Sequence, residues 1–118
     1  MSALGRFLHR LSRTDEEILR DEVREWADAV PGTVRIGDCP QRRRVRVCGV
    51  VRRLTLRPQG DSHSLEVVIY DGTGELTAAW TGRDHIPGLS IGTQLILEGV
   101  PSVDRTGMRM VNPAFEFA

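Results

Sequence analysis

The chain has 118 residues, 40% of them hydrophobic, with sixteen basic and sixteen acidic side chains and no lysine. That length suffices for one domain with a real hydrophobic core, unsupported by metal or disulfide. No apolar run reaches the ~18 residues of a membrane-spanning helix, and the N-terminus lacks a signal-like apolar block with a small-residue cleavage site, so a cytoplasmic protein without membrane insertion is expected.

The zero net charge averages three unlike segments. Residues 1–30 carry five Arg and seven acidic residues, 31–60 eight Arg and one acidic residue, and 61–118 three Arg and eight acidic residues. Arginine contacts phosphate bidentately and stacks on bases. A GC-rich genome accounts for the missing lysine, whereas the basic middle third points to a polyanion. Cys39 and Cys48 lie nine residues apart, and His9, His63 and His85 show no ligand spacing with them or with each other. No disulfide framework, metal site or cofactor is therefore expected, and the thiols read as small buried hydrophobes.

In chain order, Leu4, Phe7, Leu8 and Leu11 fall at helical spacing among Arg6, Arg10 and Arg13. This is read as a segment packed on the domain or frayed, with a basic amphipathic helix for an anionic surface as the alternative. The next segment is "TDEEILRDEVREWADAVPG". Thr14 and Glu17 form a capping box, Asp15 and Glu16 suit the positive end of the helix dipole, and Pro31-Gly32 stops the helix. Ile18, Leu19, Val23, Trp26, Ala27 and Val30 make one apolar stripe. Residues 1–32 are thus an N-terminal helical segment packed on the outside or open end of the remaining chain. A protein partner or a homodimer seam through these helices is the alternative.

Residues 41–118 read as a β domain. "RVRVCGVVRRLTLRP" alternates across Gly49, where a bulge or sharp coil is expected. Further strands are expected at 65–70, in "ELTAAW", in "GTQLILEGV", and in "GMRMVNPAFEF", whose Pro113 suits an edge or a bulge. "GRDHIPGL" could supply a single helical turn plugging one end. Five short antiparallel strands, the first long and bent, predict an all-β five-stranded OB-fold barrel preceded by the α-helical segment. "DGTG", residues 71–74, lies between two strands and so reads as a hairpin turn. It is not succeeded by the Lys-Ser/Thr pair and helix that a phosphate loop requires, and it lacks the alternate oxygen ligands of a calcium loop.

"VRVCGVV", "DGTGELTAAW", "GTQLILEGV" and "MRMVNPAFEF" resemble, in order and spacing, the OB-fold wedge domain of RecG-type branch-migration helicases. The first three segments also resemble the anticodon-binding OB domains of class II aminoacyl-tRNA synthetases. The stretch 41–118 as a whole is similar to the stand-alone OB-fold nucleic-acid-binding domain proteins of actinobacteria. No ATP-binding loop is present, and the loops 57–63, 82–92 and 101–107 hold no aromatic residue to stack at a junction. The resemblance therefore implies non-enzymatic binding of single-stranded or structured DNA or RNA, without strand separation.

OB barrels bind through strands two and three and the flanking loops. This nominates Tyr70 and Trp80 as stacking platforms, with Arg46, Arg52, Arg53, Arg57, Arg83, Arg105 and Arg109 around them. Trp80 shares parity with Leu76 and Ala78, so a core role is its alternative. Arg42, Arg43, Arg44 and Arg46 could form a phosphate-tracking stripe or simply a solvated face. His63 is a loop residue that could meet a phosphate. Asp61, His63 and Ser64 are too close in sequence for a hydrolytic triad, and no catalytic residue is expected. Met108, Met110, Phe115 and Phe117 alternate as a core face, the two phenylalanines helping to seat the N-terminal helices. The rival reading is a protein-interaction or regulatory scaffold that does not bind nucleic acid, favoured by Glu98, Asp104 and Glu116, which oppose a polyanion. Nucleic-acid binding requires the arginines to converge along one groove instead of scattering or pairing with carboxylates.

Overall fold

The computed structural model describes residues 14–118; the amphipathic run at Leu4–Leu11 lies outside them. Among these residues one helix, α1 (Asp15–Asp28), and a 3-10 turn (Ile36–Asp38) precede seven strands: β1 (Val45–Gln59), β2 (Ser62–Tyr70), β3 (Glu75–Thr81), β4 (Gln94–Gly99), β5 (Ser102–Asp104), β6 (Gly107–Val111) and β7 (Ala114–Phe117). They form one mixed sheet in the order β5-β6-β3-β2-β1-β4-β7, in which only the β3–β6 pair is parallel. No described helix is long and apolar enough to cross a membrane.

Period-two alternation builds the core. Val47 and Val51 of β1, Leu65, Val67 and Ile69 of β2, Leu76, Ala78 and Trp80 of β3, Leu95 and Leu97 of β4 and Met110 of β6 turn inward together. Ile36 and Ile86 join the same cluster from outside the strands. The segment 82–89 forms turns in place of the expected helical turn, and its Ile86 is buried in the core.

β1 carries two partners. Val45–Val50 pair with β4, and Val50–Gln59 pair with β2. The register slips between Val51 and Arg53, so the bulge is at Arg52 and not at Gly49. Gly49 serves another purpose: a Cβ there would stand 3.0 Å from the backbone N and O of Tyr70 and 3.1 Å from Cβ of Ile69. Its missing side chain lets β2 approach where β1 passes from one partner to the other.

Two further elements differ from expectation. Residues expected as a long loop form the β5–β6 hairpin, and the last strand divides at Asn112-Pro113. Proline has no N–H for a ladder, and Asn112 adopts φ 50, which turns the chain between β6 and β7. β6 lies beside β3, whereas β7 lies beside β4.

α1 begins as its sequence requires. Thr14 Oγ1 accepts from the Glu17 N–H at 3.1 Å, and Asp15, Glu16 and Glu17 occupy the first turn. Ala27, with Trp26 and Val30 beside it, packs on Cys48 and Ile96, which are opposite each other on the outer face of the β1–β4 pair. The apolar stripe is shorter than its sequence pattern, since Leu19 is 50% exposed. Phe115 packs edge-on against Trp80 in the core and Phe117 against Phe115, so the phenylalanines do not seat the helix.

A buried carboxylate joins these parts. Asp71 is 2% exposed. Its Oδ1 accepts from Thr73 N (2.9 Å), Thr73 Oγ1 (2.6 Å) and Gly74 N (3.1 Å), closing the β2–β3 turn. Its Oδ2 accepts from Ile36 N at 2.8 Å, and Thr73 Oγ1 accepts from Gly37 N at 2.9 Å. The turn thereby holds the 3-10 segment. It also abuts α1: Gly72 has φ +89, and a Cβ there would lie 2.6 Å from Cβ of Arg24 and 2.8 Å from the Arg20 carbonyl. Asp71→Ala strands several of these donors, at ~1–3 kcal/mol for each one left without a partner. A total loss of roughly 2–4 kcal/mol is expected in urea unfolding, with about half that for Asp71→Asn, whose single carbonyl oxygen can still serve one side. A loss below ~0.5 kcal/mol for the alanine variant would contradict this structural role.

Candidate nucleic-acid interface

The bulge at Arg52 decides which side chains reach the outer surface. Before it, odd-numbered residues of β1 point inward (Val47, Val51); after it, Leu54 and Leu56 take the inward phase opposite Val67 and Leu65. Arg53, Thr55 and Arg57 are thereby turned outward. Without the extra residue Arg53 would project into the core.

The outward side chains line a groove of ≈ 470 Å³ formed by Arg53, Thr55, Arg57, Glu66, Val68, Thr77, Asp104, Thr106 and Arg109. Its floor is a row running across four strands, Arg53 opposite Val68, Val68 opposite Thr77 and Thr77 opposite Arg109. The β5–β6 hairpin forms one wall through Asp104 and Thr106, with exposed Arg105 between them at the tip. Tyr70 lies two residues beyond Val68 on the same face of β2. The Arg52 guanidinium stacks over its ring at 4.0 Å from the centroid and lies 4.0 Å from Glu75.

The groove is mixed in charge. Arg57 Nε donates to Glu66 Oε1 at 2.9 Å, and Arg109 lies 3.4 Å from Glu66 Oε2 and 3.5 Å from Asp104 Oδ2. Arg53 and Arg105 form no ion pair among the described residues. Thr106 donates to Asp104 Oδ1 through its backbone N–H (2.8 Å) and its hydroxyl (2.7 Å). These bonds, the hydroxyl's first, with Arg109 nearby, hold the Asp104 carboxyl below its ordinary value.

Arg52, Arg53, Arg57, Tyr70, Arg105 and Arg109 thus lie in or beside one groove, whereas Arg46, Trp80 and Arg83 do not. Arg46 is on the outer face of the β1–β4–β7 side, bridged to Glu116, and its neighbour Arg44 pairs with Glu98 at 2.9 Å. The arginine stripe at 42–46 therefore does not extend the groove: Arg44, just before β1, and Arg46 within it face Glu98 of β4 and Glu116 of β7. Arg83 stands 5.9 Å from the Phe115 ring, away from the groove. Trp80 is 4% exposed, donates its indole N–H to the Pro113 carbonyl at 3.0 Å and meets Phe115 edge-on at 5.5 Å, so it has no free face for a base. His63 is opposite Pro58 in the β1–β2 hairpin. Sequence reasoning missed Glu66, Thr55, Thr77 and Thr106; Glu66 could have been found, because it has the parity of Tyr70.

A second cleft, ≈ 320 Å³, is lined by Ala27, Asp28, Thr33, Val34, Arg35, Cys48 and Asp71. Its polar groups are already committed: Arg35 makes bidentate bonds of 2.7 and 3.0 Å to Asp28, and Cys48 Sγ lies 3.6 Å from the Ala27 carbonyl. Burial pushes the Cys48 and Cys39 thiols up, away from the reactive thiolate. Among the described residues no group of three or more His, Cys, Asp or Glu is placed to hold a metal ion. No protein-family model matches the chain, and no curated protein sequence does either.

Two outcomes are expected from this geometry. In a Trp26→Phe background, Trp80 fluorescence should be blue-shifted and nearly inaccessible to acrylamide; a red-shifted, readily quenched emission would place the indole at the surface. For Asp104, a depressed folded value means that its contribution is complete above the unfolded carboxyl value of ~3.9 and is lost as pH falls through the folded one. Carboxyl-carbon NMR should therefore give a midpoint below ~3.9 that moves up in Thr106→Ala.

Proposed function

We propose that this chain is a non-enzymatic nucleic-acid-binding module built as a five-stranded OB-fold barrel. Two features support the barrel. β6 and β7 are one stretch of chain interrupted only at Asn112-Pro113, and they pair with β3 and β4, from opposite parts of the strand order. β1 is long, bulged at Arg52 and shared between β2 and β4. Counting β6 and β7 as the fifth strand, the groove lies on strands two and three beside the hairpin joining strands four and five, the surface with which OB folds take oligonucleotides.

The observation that carries the binding reading is the cross-strand row from Arg53 to Arg109, flanked by the Arg52–Tyr70 pair and by Arg105. Guanidinium groups on both walls can follow a phosphate backbone, and the half-buried Tyr70 ring, on which Arg52 lies, can stack a base for ~1–3 kcal/mol once Arg52 swings aside. With a single such platform and two carboxylates in the groove, affinity is modest and electrostatic. The ligand is single-stranded or structured DNA or RNA.

A second reading, a protein-interaction scaffold without nucleic-acid binding, draws on the same carboxylates. Glu66 and Asp104 in the groove, and Glu98 and Glu116 against Arg44 and Arg46, neutralise much of the basic block. Val100, Val103 and Val111, each at least half exposed, lie nearby on β5, β6 and the segment before them.

Fluorescence anisotropy with labelled single-stranded DNA and RNA at low salt separates the two. Micromolar binding is expected, with log affinity falling against log salt at a slope of roughly −3 for four or five phosphate contacts. Arg53→Glu with Arg105→Glu should weaken it about tenfold or more, whereas Arg44→Gln with Arg46→Gln should change it less than about twofold. Absence of binding at micromolar protein ends the first reading and leaves the second.

A further inference from the structure

The groove contains its own counter-anion, and we infer that Glu66 competes with phosphate for Arg57 and Arg109 and so limits how tightly the groove takes a polyanion. The inference rests on the binding reading of that groove. Glu66 is on the central strand β2 with a side chain only 14% exposed, whereas Asp104 on the rim is 48% exposed. Its two oxygens are divided between guanidinium groups from opposite walls, Oε1 with Arg57 of β1 and Oε2 with Arg109 of β6. Two non-bridging oxygens of a phosphodiester would take the same donors. A backbone phosphate entering here must share or displace those bonds and settle beside a fixed negative charge that water screens poorly.

The consequence is selective. Arg53 and Arg105 are free to meet phosphate, whereas Arg57 and Arg109 exchange one anion for another and release fewer counterions. Removing the charge of Glu66, with its shape retained, converts two committed guanidinium groups into available ones. Arg57 then becomes important for binding only when Glu66 is gone.

Glu66→Gln is the test, read by anisotropy with a labelled oligothymidylate at low salt. Affinity is expected to rise about five- to tenfold and the salt slope to steepen by about one. Asp104→Asn, on the screened rim, should change affinity less than about twofold. A double-mutant cycle adds a stricter demand: Arg57→Gln should cost less than about twofold in the wild type and more than about fivefold in the Glu66→Gln background. Unchanged or weaker binding by Glu66→Gln, or equal effects of Arg57→Gln in both backgrounds, overturns the inference. Should Glu66→Gln melt far below the wild type, Glu66→Asp, which draws the carboxylate back by one methylene, must give a smaller gain in the same direction, and no gain overturns the inference too. Long-chain inorganic polyphosphate is the second probe. If neither protein binds oligonucleotide but Glu66→Gln gains polyphosphate binding, the nucleic-acid reading falls and the role of Glu66 stands. If Glu66→Gln binds neither polyanion more tightly than the wild type, the role of Glu66 falls whatever the wild type binds.

Discussion

A carboxylate that is 2% exposed and accepts hydrogen bonds from Ile36, Thr73 and Gly74, as Asp71 does, can be satisfied only when two separate parts of the chain are in place. The β2–β3 turn must close and the 3-10 segment must lie beside it; the same turn meets the helix at Gly72, where the missing Cβ lets Arg20 and Arg24 approach. Burying the charge unpaired would be prohibitive, so the group acts as a check on assembly as well as a bond within it. Its position also determines what stays open. With α1 held over Cys48 and Ile96, the helix covers the β4-paired half of β1, and among the described residues no helix covers the half beyond the bulge, where the groove lies.

The second constraint is the change of phase in β1. A strand that kept strict alternation through "VVRRLTL" would set either its arginines or its leucines on the wrong side. The bulge at Arg52 resolves that conflict and increases local twist, which suits a strand shared by two partners. The extra residue itself is not idle, since the Arg52 guanidinium caps the Tyr70 ring at 4.0 Å.

Much of this is legible in the sequence, and the failures have physical reasons. The helix limits come from Thr14 and Pro31-Gly32, and the strand succeeding "DGTG" separates that turn from phosphate loops, just as its single well-placed carboxylate separates it from calcium loops. The phase change is visible as well, because the apolar residues of β1 shift from odd to even numbers between Val51 and Leu54; Gly49 draws the bulge assignment because a glycine in a strand has two meanings, and here it marks close backbone approach. The β5–β6 hairpin escapes because "SVDRTGM" is too short to alternate convincingly. Charge clustering is the least reliable guide. Eight arginines that are neighbours in sequence are divided by alternation and by a partner change, so Arg44 and Arg46 end beside Glu98 and Glu116, Arg57 ends beside Glu66, and Arg53 lines the same groove unpaired. Segment-level charge cannot register which of these arginines meets a carboxylate and which does not.

That pairing bears on what the groove could be selected to do. Exposed ion pairs contribute little to stability, ~0–1 kcal/mol each, so the Arg44–Glu98 and Arg46–Glu116 contacts are weak reasons for the fold to keep those residues. Glu66 is different in kind, because a carboxylate on the central strand, mostly withdrawn from water, depends on its two arginines to offset its desolvation. An apolar residue at that position would extend the Val68 surface and make the sheet simpler to build. A charge retained where packing does not require it, aimed between guanidinium groups from opposite walls, is more readily understood as acting on whatever those guanidinium groups meet. On the binding reading proposed above, it lowers attraction for a polyanion and leaves Arg53 and Arg105 as the unpaired guanidinium groups beside the groove.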